Sequence, residues 1–279
     1  MPEGDPPPSW TDLNLLEFGT GRRSLAPHHK EDVGDSRNDS PSSRDVEPLG
    51  SVSDMRRALL FDYDGVIVDS EVAVANVFVE VLAEDGIQVT FDDFGHLLGT
   101  TGPEGDERWQ RFIRQVMGPS VLLEEIEQRM APRVRRAYEE LTVLPGVREL
   151  MDAASAAGWA LGLGTGNTGP IDSYLERLGL ADVFEAVVRT HGSGLASKPA
   201  PDVFLALAEC LDVLPEQCVV VEDSVPGCEA AIAAGMSVVV CPTIATAGCS
   251  FPESAISVSC LADVTLDALD ALVTRTMPG

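Results

Sequence analysis

Two carboxylates stand two residues apart in Phe61-Asp62-Tyr63-Asp64-Gly65-Val66-Ile67-Val68-Asp69-Ser70, directly after the apolar run Ala58-Leu59-Leu60-Phe61. A strand that ends in such a pair presents bare charge at its carboxyl tip. That is costly unless the charge holds a metal or reacts. Gly65 permits a tight reversal, and Asp69 can cap or orient the turn. Asp62, at the strand end and so the better held, is expected to ligate a divalent metal and attack phosphorus. Asp64, in the flexible turn, is expected to protonate a leaving oxygen and then deprotonate water. A lone DxD pair also describes an acidic solvated turn; DxDGxxxDS after an apolar strand is far more specific.

Three later segments offer complementary groups. In Leu163-Gly164-Thr165-Gly166-Asn167 a hydroxyl and the open N–H groups of glycines suit a phosphoryl oxygen. A helix N-terminus is expected to follow near Thr168; the plainer reading is that Thr165 or Thr168 only caps that helix. In Gly194-Leu195-Ala196-Ser197-Lys198-Pro199, Lys198 is the only basic residue between His191 and Arg275. It could pair with Asp62 and a phosphate, or simply face solvent. Val219-Val220-Val221-Glu222-Asp223-Ser224 again ends a strand in carboxylates. Asp223 is the expected direct metal ligand, and Glu222 is expected in the metal group as the residue that orients a metal-bound water or Lys198. Asp223-Ser224 before Pro226 also reads as a helix cap, and both can hold at once.

The elements that must position these loops follow from periodicity. Strand-like runs at 58–61, 159–163, 184–188, 218–221 and 237–240, with a weaker one at 256–258, alternate with amphipathic helices. These lie at 147–157, around 171–178, and at 201–211, 225–234 and 266–273. Apolar strands alternating with helices predict an α/β fold, a parallel sheet covered on both faces with function beyond the strand carboxyl ends. Between the first loop and Glu140 every segment reads as helix, with Trp109, Phe112, Ile113 and Val116 on one stripe. The expected organisation is an extension over 1–54, a Rossmann-like core over 55–72 and 142–279, and an inserted all-helical cap over 73–141. The extension lacks the apolar content to offset ordering entropy and is expected to be disordered, with a possible short docking helix at Trp10–Phe18.

Composition narrows the partners. Of 279 residues, 45 are acidic and 19 basic, a net charge of -26, which disfavours nucleic acid and anionic membranes. An apolar fraction of 44% is enough for a core. No apolar run reaches the ~18 residues of a membrane span, and the opening residues have no secretory pattern. The six cysteines lie late in the chain and form no CxxC, which fits scattered reduced thiols in the cytoplasm better than disulfides or zinc.

Taken in order, the four loops resemble the haloacid-dehalogenase-like hydrolase superfamily, in the helical-cap branch of small-molecule phosphatases and sugar phosphomutases. The resemblance rests on Asp62-Tyr63-Asp64-Gly65, Thr165, Lys198 and Glu222-Asp223, and covers about residues 57 to 275. It implies Mg²⁺ held by the Asp62 side chain, the Asp64 backbone carbonyl and Asp223, and an aspartyl-phosphate intermediate. The expected catalytic group is Asp62, Asp64, Thr165 and Lys198. Gly166 and Asn167 are expected at the substrate, while Arg108 and Arg111 could reach it or face solvent. Where mutases of the family carry a gating His, this chain has Val72, Ala73 and Val74, which favours a phosphatase over the mutase alternative. A non-catalytic binding protein on the same fold is the remaining alternative. The expected substrate is a small phosphorylated metabolite, a sugar phosphate or phosphoglycolate-like compound. The Gly99–Gly102 turn and Trp109 are its candidate cap contacts, and the chain is expected to be a monomer or weak dimer.

Overall fold

The computed structural model describes residues 56–97 and 102–275. The expected disordered extension, the docking helix at Trp10–Phe18 and most of the Gly99–Gly102 turn lie outside them.

Six strands form one parallel sheet in the order β3-β2-β1-β4-β5-β6: β1 (Ala58–Phe61), β2 (Ala160–Thr165), β3 (Ala186–Arg189), β4 (Cys218–Glu222), β5 (Ser237–Val240) and β6 (Ile256–Ser257). β1 and, as far as Val221, β4 are uninterrupted apolar runs because the centre of the sheet is buried on both faces. Side chains alternate between the two layers. Leu59, Phe61, Val219 and Val221 pack with α5 (Val147–Ala156), α6 (Ile171–Leu178) and α9 (Leu266–Arg275). Leu60, Cys218 and Val220 pack with α7 (Asp202–Leu211) and α8 (Val225–Ala233) on the other side.

Between β1 and α5 the chain runs through α1 (Ser70–Glu84), α2 (Phe91–Phe94), α3 (Gly102–Met117) and α4 (Leu123–Glu140). These helices bury their apolar stripes against one another, around Phe78, Phe94, Trp109, Ile113, Ile126 and Met130. Phe78 meets Phe94 and Trp109 edge to face, with ring centroids 4.9 and 5.2 Å apart. Trp109 is therefore a core residue of the cap, with 4% of its surface exposed, and not an open contact for substrate. Among the described residues no helix is long and apolar enough to cross a membrane. All six cysteines are free thiols.

Element bounds differ from the sequence expectation in places, with β2 running on to Thr165. The third strand begins at Ala186, because Phe184 leaves the ladder to pack edge-on against Phe61. The helix after the second loop begins at Ile171, with Pro170 rather than Thr165 or Thr168 at its N-cap position.

Candidate active site

Register does most of the assembly. Phe61 of β1 is paired with Leu163 of β2 and Val221 of β4. The next residues, Asp62, Gly164 and Glu222, therefore lie side by side at the carboxyl edge, and the Asp62 N–H extends the ladder by donating to Val221 O at 3.1 Å. The strand order reverses at β1, so the crevice between β1 and β4 is the place where an open α/β sheet binds ligands.

Lys198 ties the loops together. Its Nζ donates to Asp62 Oδ1 at 2.6 Å and to Glu222 Oε1 at 2.5 Å, and lies 3.4 Å from Gly164 O. The solvent-facing alternative for this lysine is excluded, since its side chain is 13% exposed. Burial opposes its charge, but the carboxylates of Asp62 and Glu222 more than offset that and hold the ammonium above its usual pKa. The second Glu222 oxygen accepts from Asp223 N, Ser224 N and Ser224 Oγ at 3.1, 3.2 and 2.9 Å. Both oxygens of Glu222 are thus engaged within the protein. It reads as the residue that orients Lys198 and the last loop, in spite of its place among the nearby carboxylates.

Asp62, Glu222 and Asp223 bring carboxylate oxygens within 4.8 Å of one another, all three buried. Asp223 differs from its neighbours, because no side chain or N–H among the described residues donates to its carboxylate. Burial pushes the Asp62 and Asp223 carboxyls up, and the nearby carboxylates add to the rise in both. Such a cluster favours a bound cation. Two glycines make room for it. A Cβ on Gly65, whose φ is +77°, would lie 2.2 Å from Asp223 Oδ2, and one on Gly227 would lie 2.0 Å from the Glu222 carboxyl. Ser224 Oγ caps α8 by accepting from Gly227 N, so the last loop is helix cap and carboxylate platform together.

Asp64 is not in a flexible turn. Asn167 Nδ2 donates to both of its oxygens at 2.7 and 3.0 Å, Ser70 Oγ donates at 2.5 Å, and Tyr138 OH stands 3.5 Å away. Burial raises its pKa, and the Ser70 and Asn167 donors pull it part of the way back. The Asn167 amide cannot flip at no cost, since its Oδ1 accepts from Gly169 N at 2.7 Å. Asn167 is therefore bound to Asp64 rather than presented openly to a substrate. Thr165 is fully buried at the end of β2 and accepts from Asn167 N at 2.9 Å, which leaves its own O–H to donate. Gly166 is exposed beside it.

Arg108 and Arg111 are not brought to this cluster. Both are exposed on α3 and line a separate groove of about 530 Å³ with Gln88, Val89 and Phe112. The groove is lined by residues of the cap alone and by none of the four loops. The sequence reasoning also left Ser70 and Tyr138 without roles. Ser70 belongs to the DxDGxxxDS run. Tyr138 carries no local signal, because it reaches Asp64 only through the packing of α4 against α1.

Comparison with known proteins agrees with the geometry. The model for the haloacid dehalogenase-like hydrolase family matches residues 56–235. The protein CbbY of Rhodobacter capsulatus is 32% identical over 233 residues, covering 80% of this chain and 97% of that protein. Hexitol phosphatase B of Escherichia coli is 30% identical over 225 residues, covering 80% and 96%. A variant of CbbY from Rhodobacter sphaeroides, solved with xylulose-(1,5)bisphosphate, superposes with a TM-score of 0.61 at 28% identity, covering 77% of this chain and 99% of that one.

Proposed function

The chain belongs to the haloacid dehalogenase-like hydrolase family and is a phosphoric monoester hydrolase, and from that premise we propose a Mg²⁺-dependent phosphatase of a small phosphorylated metabolite, sugar phosphate or phosphoglycolate-like, working in the cytoplasm through an aspartyl phosphate. The observation that carries this reading is Lys198 bridging Asp62 and Glu222 while Asp223, without a donor of its own, faces them. The names of the similar proteins, a hexitol phosphatase and a CbbY crystallised with a sugar bisphosphate, support the substrate class.

Asp62, Asp223 and the backbone carbonyl of Asp64 are the residues that would hold Mg²⁺, which when bound offsets charge on the transferring group. Asp62 attacks phosphorus in line and becomes the phosphorylated residue. Asp64 gives its proton to the leaving alcohol, then takes one from the water that splits the acyl phosphate. The Thr165 hydroxyl, the Gly166 N–H and the charge of Lys198 hold the phosphoryl oxygens, whose charge persists through transfer. Asn167 and Ser70 fix Asp64 so that the same carboxyl serves both steps, giving one proton and regaining another from water. The residues 73–141 act as the cap that covers the site and excludes bulk water.

The test is phosphate release from a panel of sugar phosphates, polyol phosphates, phosphoglycolate and nucleotides, each with Mg²⁺ and with excess chelator. The reading predicts release from at least one class, lost on chelation. No release from any member by well-folded protein would leave only a binding role.

A further inference from the structure

The carboxylates around the crevice can be counted by what satisfies them. Asp62 has Lys198, Asp64 has Asn167 and Ser70, Glu222 has Lys198 and Ser224, and Asp69 accepts from Val72 N as the N-cap of α1. Asp223 remains for the cation. One more acid is left: Glu71, in the first turn of α1 and next to the Ser70 that donates to Asp64. Its Oε2 is buried and has no hydrogen-bond partner. A buried carboxylate oxygen without a donor costs free energy, and in a folded protein it calls for a ligand or a specific reason.

Its surroundings say which ligand. Asp64, Asp69, Glu222 and Asp223 all act on it or feel it electrostatically, so it sits at the same crevice. After burial, the charge of Asp64, the proposed proton donor to the leaving oxygen, acts on it most strongly. Glu71 follows Ser70, whose hydroxyl holds Asp64, so it stands beside the carboxyl that meets the leaving oxygen. An unpaired acid at that place accepts a hydrogen bond from a neutral hydroxyl and repels a carboxylate or a second phosphate. Burial, then the charges of Asp64 and Asp69, push its carboxyl up to about 7, so near neutrality it can donate to a hydroxyl as well as accept from one.

We propose that Glu71 is a specificity-determining residue that binds a hydroxyl of the leaving group, so that the preferred substrates are monophosphates of sugars or polyols rather than phosphoglycolate. This rests on the phosphatase reading above and narrows its substrate class.

The test is kcat/KM for glucitol 6-phosphate, 2-phosphoglycolate and phenyl phosphate, with saturating Mg²⁺, in the wild type and in Glu71→Gln. The wild type is expected to prefer glucitol 6-phosphate. In E71Q the glucitol-over-phosphoglycolate preference is expected to fall about 10- to 100-fold, the scale of one charge-assisted hydrogen bond. The phosphoglycolate value itself is expected to rise, because a negative charge has been removed. A purely structural residue, or one acting on the phosphate or the cation, would move all three substrates together. A preference unchanged within about threefold therefore overturns the proposal. Should E71Q not fold, as read by its thermal melt, Glu71→Leu carries the same comparison. A wild type inactive on all three would instead overturn the phosphatase reading itself.

Discussion

The carboxyl edge of the sheet and the groove on the cap contain residues of equally suggestive chemistry, and the fold treats them in opposite ways. At the sheet edge, Asp62, Lys198 and Glu222 come from segments far apart in sequence yet meet at 2.5 to 2.6 Å. In the cap, Arg108 and Arg111 lie on one exposed face of α3 and meet none of the four loops. The difference lies in what sets position. A parallel register is discrete, and shifting it by one residue would send every side chain into the opposite packed layer, so strand-end residues are placed closely. A helix face in a small bundle is placed by packing around Phe78 and Trp109, which nothing in the local sequence relates to the sheet.

The contrast can be broken or sharpened by substitution. The largest effect is expected for Lys198→Met. It leaves two buried carboxylates without their partner, which should cost ~3–5 kcal/mol and lower the melting temperature by roughly 10 °C in the absence of Mg²⁺. kcat/KM should fall by about 10³. Thermal melts and phosphate-release kinetics check both. Gly65→Ala comes next. Its Cβ has to displace the Asp223 carboxylate from 2.2 Å, at a backbone angle that L residues avoid. A shift of that size should cost about 10² in turnover and raise the Mg²⁺ needed for half-maximal rate, which a metal titration reads. The smallest effect is expected for the double variant Arg108→Ala, Arg111→Ala. As surface residues remote from the site they should change stability by under ~0.5 kcal/mol each and leave kcat/KM within about threefold. A loss approaching that of Gly65→Ala would return the arginines to the substrate and erase the contrast.

What could be read from the sequence follows the same division. The apolar runs before Asp62 and Glu222, and the glycines and turn residues after them, announce strand ends carrying charge; the structure has both. The helical insert was legible from its 3.6-residue period. Asn167 and Tyr138 were not. Asn167 has the residue type of a phosphate contact, but its partner, Asp64, lies 103 positions away and is fixed only by register between β1 and β2. Tyr138 reaches the same carboxylate from the last turn of α4. Glu71 has no mark in the sequence beyond following Ser70, and its unpaired oxygen shows only once the neighbouring acids have taken their partners. Pattern reports the residues a fold must place; it does not report which of them are left unsatisfied.

The central claim is that Asp62 itself takes up the phosphoryl group. Acid quenching within milliseconds of mixing with a ³²P-labelled substrate and Mg²⁺, followed by peptide mapping, tests it directly. The account predicts an acid-stable, hydroxylamine-labile label on the peptide containing Asp62, absent in Asp62→Asn. Steady turnover with no protein-bound label at any quench time, or a label on another residue, would contradict it.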